Sequence, residues 1–196
     1  KEWYILGKDT GVTGDNTIIF AASPIATGQM FENDWEKKKT ESSLWSDCDY
    51  SGKSITEVYP NHYGASDLRV ALQGMATNTS YFTTAEQGLM NATTVTTNDK
   101  NNKVTYTTTD KLYALAADGT GMSYQTIKAG TSDSTVLAMS SYWSNGSEFW
   151  LRSPRTDTSF ALLASPGLWV SMHVVNVRSA VQPASNLNLS SVLFAS

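Results

Sequence analysis

Glu148-Phe149-Trp150-Leu151-Arg152-Ser153-Pro154 is the stretch on which the reading of this chain turns. Taken as a strand, its period of two sets Phe149 and Leu151 on one face and Trp150 and Arg152 on the other. Neither pair suits solvent, so the stretch is expected to be a central strand buried on both sides. Pro154 should end it, since proline has no N–H to give to a ladder. Arg152 then needs a partner inside, because an unpaired buried charge is costly. Trp150 and Arg152 are therefore read as architectural, the indole filling the core and the guanidinium tying strand to loop.

Upstream, Glu2 to Gly7 and Thr17 to Ala22 read as two strands joined by a loop with turn residues from Gly11 to Asn16. Residues 24–64 have no clear period but carry Trp35, Trp45, Cys48, Tyr50, Tyr59 and Tyr63. That argues for packed irregular structure. From Ser66 the period changes: Leu68, Ala71, Leu72 and Met75 form one stripe of an amphipathic helix, with Ser66 or Asp67 as its cap. Thr83 and Glu86 fit a capping box for a second, short helix. Thr93–Thr97 and Lys103–Thr109 are expected to form a protruding hairpin about the turn residues 98–102. Lys111 to Ala116 reads as one strand, and residues 118–147 as loop with a short apolar element at Val136 to Met139. Downstream, Phe160–Ala164 and Leu168–Val177 make a hairpin about Ser165-Pro166-Gly167. In its second strand Val170, Met172 and Val174 face one way and Trp169, Ser171 and His173 the other. The tail from Arg178 is expected to close beside the first strand.

With 196 residues, the chain fits a single domain, spanning 1–196 and expected to be excised from a longer multidomain surface protein. Only 16% of residues are charged, against roughly 25% on average, so Thr, Ser and Asn must make the polar surface. A net charge of −4 argues against a nucleic-acid partner, which wants a basic patch. No run approaches the ~18 apolar residues of a spanning helix, so membrane insertion is not expected.

Phe149 to Pro154, together with Val177-Arg178-Ser179-Ala180-Val181-Gln182-Pro183-Ala184 and the closing Leu187–Ser196, resembles an uncharacterised family. Its members are secreted or surface domains of Gram-positive bacteria. The resemblance implies an α+β, C-type-lectin-like fold: a mixed or antiparallel sheet holding both termini, two flanking helices and long loops. It also implies a secreted or cell-surface location beside other domains of the same chain. One position departs from the pattern, since the family usually has arginine where this chain has Gln182, and Arg178 is the residue placed to take over its contacts.

The chemistry is sparse. Calcium-dependent sugar binding in the wider superfamily uses Glu-Pro-Asn or Gln-Pro-Asp and then Trp-Asn-Asp. Gln182-Pro183-Ala184 lacks the third ligand, and no carboxylate cluster is visible for an ion needing 6–8 oxygens. The two histidines, His62 and His173, lack zinc spacing. A dispersed serine triad has no Gly-x-Ser-x-Gly elbow to support it. Cys48 could pair only with His62 and is read as a packed small side chain. Formylglycine-generating oxidases share the lectin-like architecture but need paired cysteines for copper, which a single cysteine does not supply. No phosphate loop is supported by Gly119-Thr120-Gly121.

The expected function is therefore a non-catalytic extracellular binding or adhesion module for a protein or glycan, with no cofactor and no metal. Its ligand contacts are expected at Trp143, Asn145, Arg155, Asp157, Trp169 and His173, where aromatic faces and nearby amides suit sugar stacking or protein contact. Alternatives are a structural spacer without a ligand, a hydrolase with a dispersed triad, and a receptor with hypervariable loops between residues 140 and 184.

Overall fold

The structure is a computed structural model that describes residues 1–99, 104–117, 126–131, 135–138, 146–156, 159–165 and 169–191, without the side chains of residues 37, 136–138, 169 and 191. Within these residues the fold is mixed α+β, with several antiparallel or mixed sheets and two helices besides one isolated α-helical turn and three short 3-10 turns.

The opening stretch forms β10 (Phe149–Pro154), the middle strand of a five-stranded sheet. Its antiparallel neighbour is β11 (Phe160–Ser165), followed by β12 (Trp169–Val174) at the edge. On the other side lie β13 (Arg178–Val181), parallel to β10, and then β3 (Ala26–Met30). Phe149, Trp150, Leu151 and Arg152 are all buried, as a strand covered on both faces requires. Phe149 and Leu151 enter one core cluster, together with Ile18, Phe20 and Tyr113. Trp150 enters the other, with Phe31, Leu68 and Leu72, meeting Phe31 edge to face at 5.7 Å between ring centroids. Its indole N–H donates to Gln29 O at 2.8 Å, so the one polar atom of that side chain is satisfied.

Among the described residues, Arg152 donates to the carbonyls of Ala114 (2.7 Å from Nη1) and Thr96 (3.3 Å from Nε), with Tyr113 presenting its ring at 5.8 Å. They belong to β6 (Tyr113–Ala114) and to β4 (Thr93–Asn98), so the cation ties three elements together. The backbone N–H of Arg152 also donates to Leu115 O at 2.8 Å. That bond interrupts the strand expected over Lys111–Ala116. Lys111–Ala116 is not one strand: β6 and β7 (Ala116–Ala117) belong to different sheets and break at Leu115.

A second sheet has the order β1 (Trp3–Gly7), β2 (Asn16–Ala21), β14 (Pro183–Asn188), β6. The closing strand thus pairs with β2 and β6, not with β1, although both end regions do share a sheet. The reason lies in side-chain burial: β2 is almost wholly buried while β1 is only half-buried, as an edge strand should be. Asp9, fully buried beyond β1, secures this sheet. Its carboxylate accepts from Gly11 N (3.0 Å), Thr131 N (2.8 Å), Thr131 Oγ1 (3.0 Å) and Asn186 Nδ2 (2.8 Å).

α2 (Asp67–Thr77) starts at Ser66, whose hydroxyl accepts from Arg69 N at 3.1 Å. It buries Leu68, Leu72 and Met75 against the Trp150 face of the central sheet. α3 (Thr84–Leu89) carries the expected capping box, with Thr83 N donating to Glu86 at 2.6 Å. The hairpin of β4 and β5 (Thr105–Asp110) forms in the expected place, but it does not protrude. Val95, Tyr106 and Asp110 are buried, and Asp49 bridges to Thr107, so one face of the hairpin is core.

Residues 24–64 contain β3, a single helical turn α1 (Trp35–Lys38), and a third cluster of Trp45, Cys48, Tyr50, Val58 and Tyr106. The stretch read as loop contains β8 (Thr126–Ala129) and β9 (Thr135–Ala138), which extend β7 into a small sheet. Met139, Gly119-Thr120-Gly121 and residues 192–196 lie outside the described residues.

Candidate functional site

Alternation along β12 divides its side chains between two faces. Val170 is buried in the first core cluster and Met172 packs on it, while Ser171 and His173 point to the opposite face. Val174, expected to share the apolar face, is 38% exposed because it is the last residue of an edge strand.

On the Ser171 and His173 side the sheet brings up Glu148, the residue just before β10. Ser165 Oγ donates to Glu148 Oε1 at 2.7 Å, and Ser171 Oγ is hydrogen-bonded to Ser165 Oγ. His173 Nε2 lies 3.5 Å from Glu148 Oε2, and both side chains are well exposed. Ser179 Oγ, on β13, donates to the Glu148 carbonyl at 2.5 Å. Glu148 also borders a groove of about 280 Å³ whose other wall carries Gly28, Arg178 and Ser179. Arg178 Nη1 donates to Gly28 O at 2.7 Å, which steadies the guanidinium and leaves its other N–H groups for solvent or a ligand. Arg178 therefore stays at this surface. Gln182 is buried, donating to Ala21 O at 2.9 Å, and its Oε1 has no partner among the described residues.

This arrangement offers a carboxylate acceptor, a guanidinium donor, hydroxyls and an imidazole along one edge. It does not look like an activated nucleophile. Glu148 stands between the hydroxyl of Ser165 and the imidazole of His173, whereas nucleophilic serine needs the imidazole as its direct partner.

Arg155 falls elsewhere. Its guanidinium lies against Met172 Sδ, and with Thr156, Phe160 and Met172 it lines a shallow depression of about 370 Å³. Asn61 fixes the backbone there, donating from Nδ2 to Arg155 O and to Phe160 O, both at 2.9 Å. Because Met172 and His173 face opposite ways, Arg155 and His173 do not form one site. Trp169 opens β12, but its side chain is not described, and Trp143, Asn145 and Asp157 lie outside the described residues. Glu148, Ser165, Ser171 and Arg178 were not among the expected contacts. The signal that could have found them was the polar alternation of Trp169, Ser171 and His173, extended across the hairpin to its neighbour strand.

Cys48, a member of the third cluster, and His62 both lie against Gly64. They form no catalytic pair. His62 Nδ1 accepts from Ala65 N at 3.1 Å and Nε2 meets Tyr50 Oη at 2.5 Å, so both ring nitrogens are committed. Burial first of all pushes the Cys48 thiol up to about 12, far from a thiolate at neutral pH.

Among the described residues there is no group of three or more His, Cys, Asp or Glu side chains that could hold a metal ion, and no helix long and apolar enough to cross a membrane. No curated protein and no solved structure matches the chain significantly. A family model does, over residues 17–189, and its description is Domain of unknown function (DUF6273). That span takes in β2 through β14, including the central strand and the Glu148 edge, and the chain belongs to this family.

Proposed function

We propose that this domain is a non-catalytic binding module of C-type-lectin-like type, working outside the cell and recognising a glycan or a protein. The contact surface is the edge formed by Glu148, Ser165, Ser171 and His173 and the adjoining groove with Arg178. One observation carries the reading: an exposed carboxylate and an exposed guanidinium face one groove, each held by hydrogen bonds to the scaffold rather than spent on each other. Such fixed, opposite hydrogen-bonding groups can grip hydroxyls or a peptide backbone without new ordering cost. The lectin-like part is supported by two features of the fold, the shared sheet of β1 and β14 and the packing of α2 against the central sheet.

The test is a glycan array and a pull-down from cell-wall and host-surface extracts, run with the unaltered domain and with Glu148→Gln and Arg178→Gln. Ligand capture lost in both variants supports the reading. Blank arrays and pull-downs would favour a structural spacer, and labelling of a serine by a fluorophosphonate probe would favour a hydrolase.

A further inference from the structure

A second cavity, of about 270 Å³, opens beside the third core cluster. Tyr50 and His62 line its inner wall, Ile55, Val58 and Tyr59 its sides, and Glu57 and Asp99 bring carboxylates to it. The turn leading into it is shaped by Ser51, whose φ of 53° is unusual for a non-glycine residue, and whose N–H donates to Asp49 Oδ1 at 2.8 Å.

The hydrogen bonds fix what the inner wall presents. His62 is buried and neutral, its imidazole pushed down to about 3, chiefly by burial. Nδ1 accepts the backbone N–H of Ala65, so it carries no hydrogen, and the hydrogen of the neutral ring sits on Nε2. Nε2 therefore donates to Tyr50 Oη, which it meets at 2.5 Å. The hydroxyl hydrogen of Tyr50 is left over. It has no acceptor among the described residues, on a side chain only 9% exposed. Burial, above all, raises the Tyr50 phenol, so it remains a donor at any ordinary pH. His62 stacks on Tyr106 at 4.2 Å and 12°, which holds the ring and hence the hydroxyl in place.

A buried donor without an acceptor is costly. One water would satisfy it, but at roughly 30 Å³ per water the cavity has space for several. The required ligand follows by elimination. An anion is opposed by Asp99 and by Glu57, the latter already facing Lys39 Nζ at 3.7 Å. An organic ammonium group offers no acceptor, and Tyr50 needs one. A hydroxyl both accepts and donates, so a compound rich in hydroxyls can accept from Tyr50 and donate to the carboxylates, with its C–H face on Ile55 and Val58. We propose that this cavity is a binding pocket for a neutral polyhydroxyl compound, a single sugar residue in size, anchored on the Tyr50 hydroxyl.

The pocket shares no residue with the Glu148 groove and stands or falls separately from it. The test is a protein-observed NMR titration with free glucose, galactose and N-acetylglucosamine at millimolar concentration, following the His62 and Tyr50 ring resonances. The expected result is saturable shifts with at least one sugar. Affinity should fall about tenfold in Tyr50→Phe, which removes a single hydrogen bond from the ligand. If Tyr50→Phe does not fold, Glu57→Gln carries the test: its side chain is 42% exposed, so the fold should survive while sugar affinity drops several-fold. Glu148→Gln should leave the shifts unaltered. Absence of shifts with all three sugars, shifts unaffected by the pocket variants, or shifts with glycine or tetramethylammonium in place of the sugars would each overturn the proposal.

Discussion

Replacing Arg152 by methionine tests whether the central strand is scaffold. The guanidinium is fully buried and satisfies the carbonyls of Ala114 and Thr96. Methionine fills similar space but donates nothing, so the buried Ala114 carbonyl and the half-buried Thr96 carbonyl each lose a partner. Each orphaned group costs about 1–3 kcal/mol, giving a gross loss of about 2–6 kcal/mol. Relief from burying a charge offsets part of this, and a net destabilisation of about 3 kcal/mol is expected. For a domain of this size each kcal/mol moves Tm by about 2–4 °C, so thermal unfolding followed by far-UV circular dichroism should shift down by about 6–12 °C. Arg152→Lys keeps the charge but not the planar fork, and should fall in between. A methionine variant as stable as the parent, or more so, would refute the reasoning. It would mean that the carbonyls find other partners and that the cation is a net cost.

Three further outcomes follow from the third cluster. His62 has a folded pKa of about 3, below its ordinary 6.5, so the unfolded chain binds the proton first as pH falls. Its contribution to stability is complete above 6.5 and drains away towards 3, by ~1.4 kcal/mol per pH unit. Urea unfolding of His62→Gln should show a slope between about pH 6.5 and about pH 4 that is shallower by one proton, and parallel slopes would contradict this. Cys48, buried and protonated, should resist iodoacetamide at neutral pH in the folded protein and react fully in denaturant; rapid labelling of the native form would be the wrong result. Gly64→Ala would drive a methyl into Cys48 Sγ and to 2.8 Å from His62 Cε1, costing about 1–3 kcal/mol in chemical denaturation, and an unchanged midpoint would show that the cluster yields easily.

What the chain reveals by itself is mostly local. The helix from Ser66, the capping box at Thr83 and the hairpin about residues 98–102 are written in spacing and cap chemistry, and each forms where expected. Glu148 to Pro154 is legible for a different reason: a run apolar on both faces fits only a middle layer. What depends on distant partners is not legible. The break at Leu115 comes from a bond to Arg152, 37 positions away by subtraction of the residue numbers. The burial of Asp9 needs Thr131 and Asn186, and the pairing of β14 with β2 needs the relative burial of β1 and β2. The candidate site splits along the same line. His173 was visible in the alternation of β12, but its carboxylate neighbour lies across two strands, and Arg155 resembles a companion only until β12 is seen to turn Met172 and His173 apart.

The proposed contact surface is the Glu148 edge, and the strand that follows it is scaffold. The most direct measurement is ligand capture by Glu148→Gln and Arg178→Gln on the glycan array and in pull-down, with Tm recorded for the same samples. Both side chains are solvent-exposed to a large degree, so their Tm values should stay close to that of the parent while capture is lost. Capture at the parental level in both variants would contradict the central claim and move the site elsewhere on the domain.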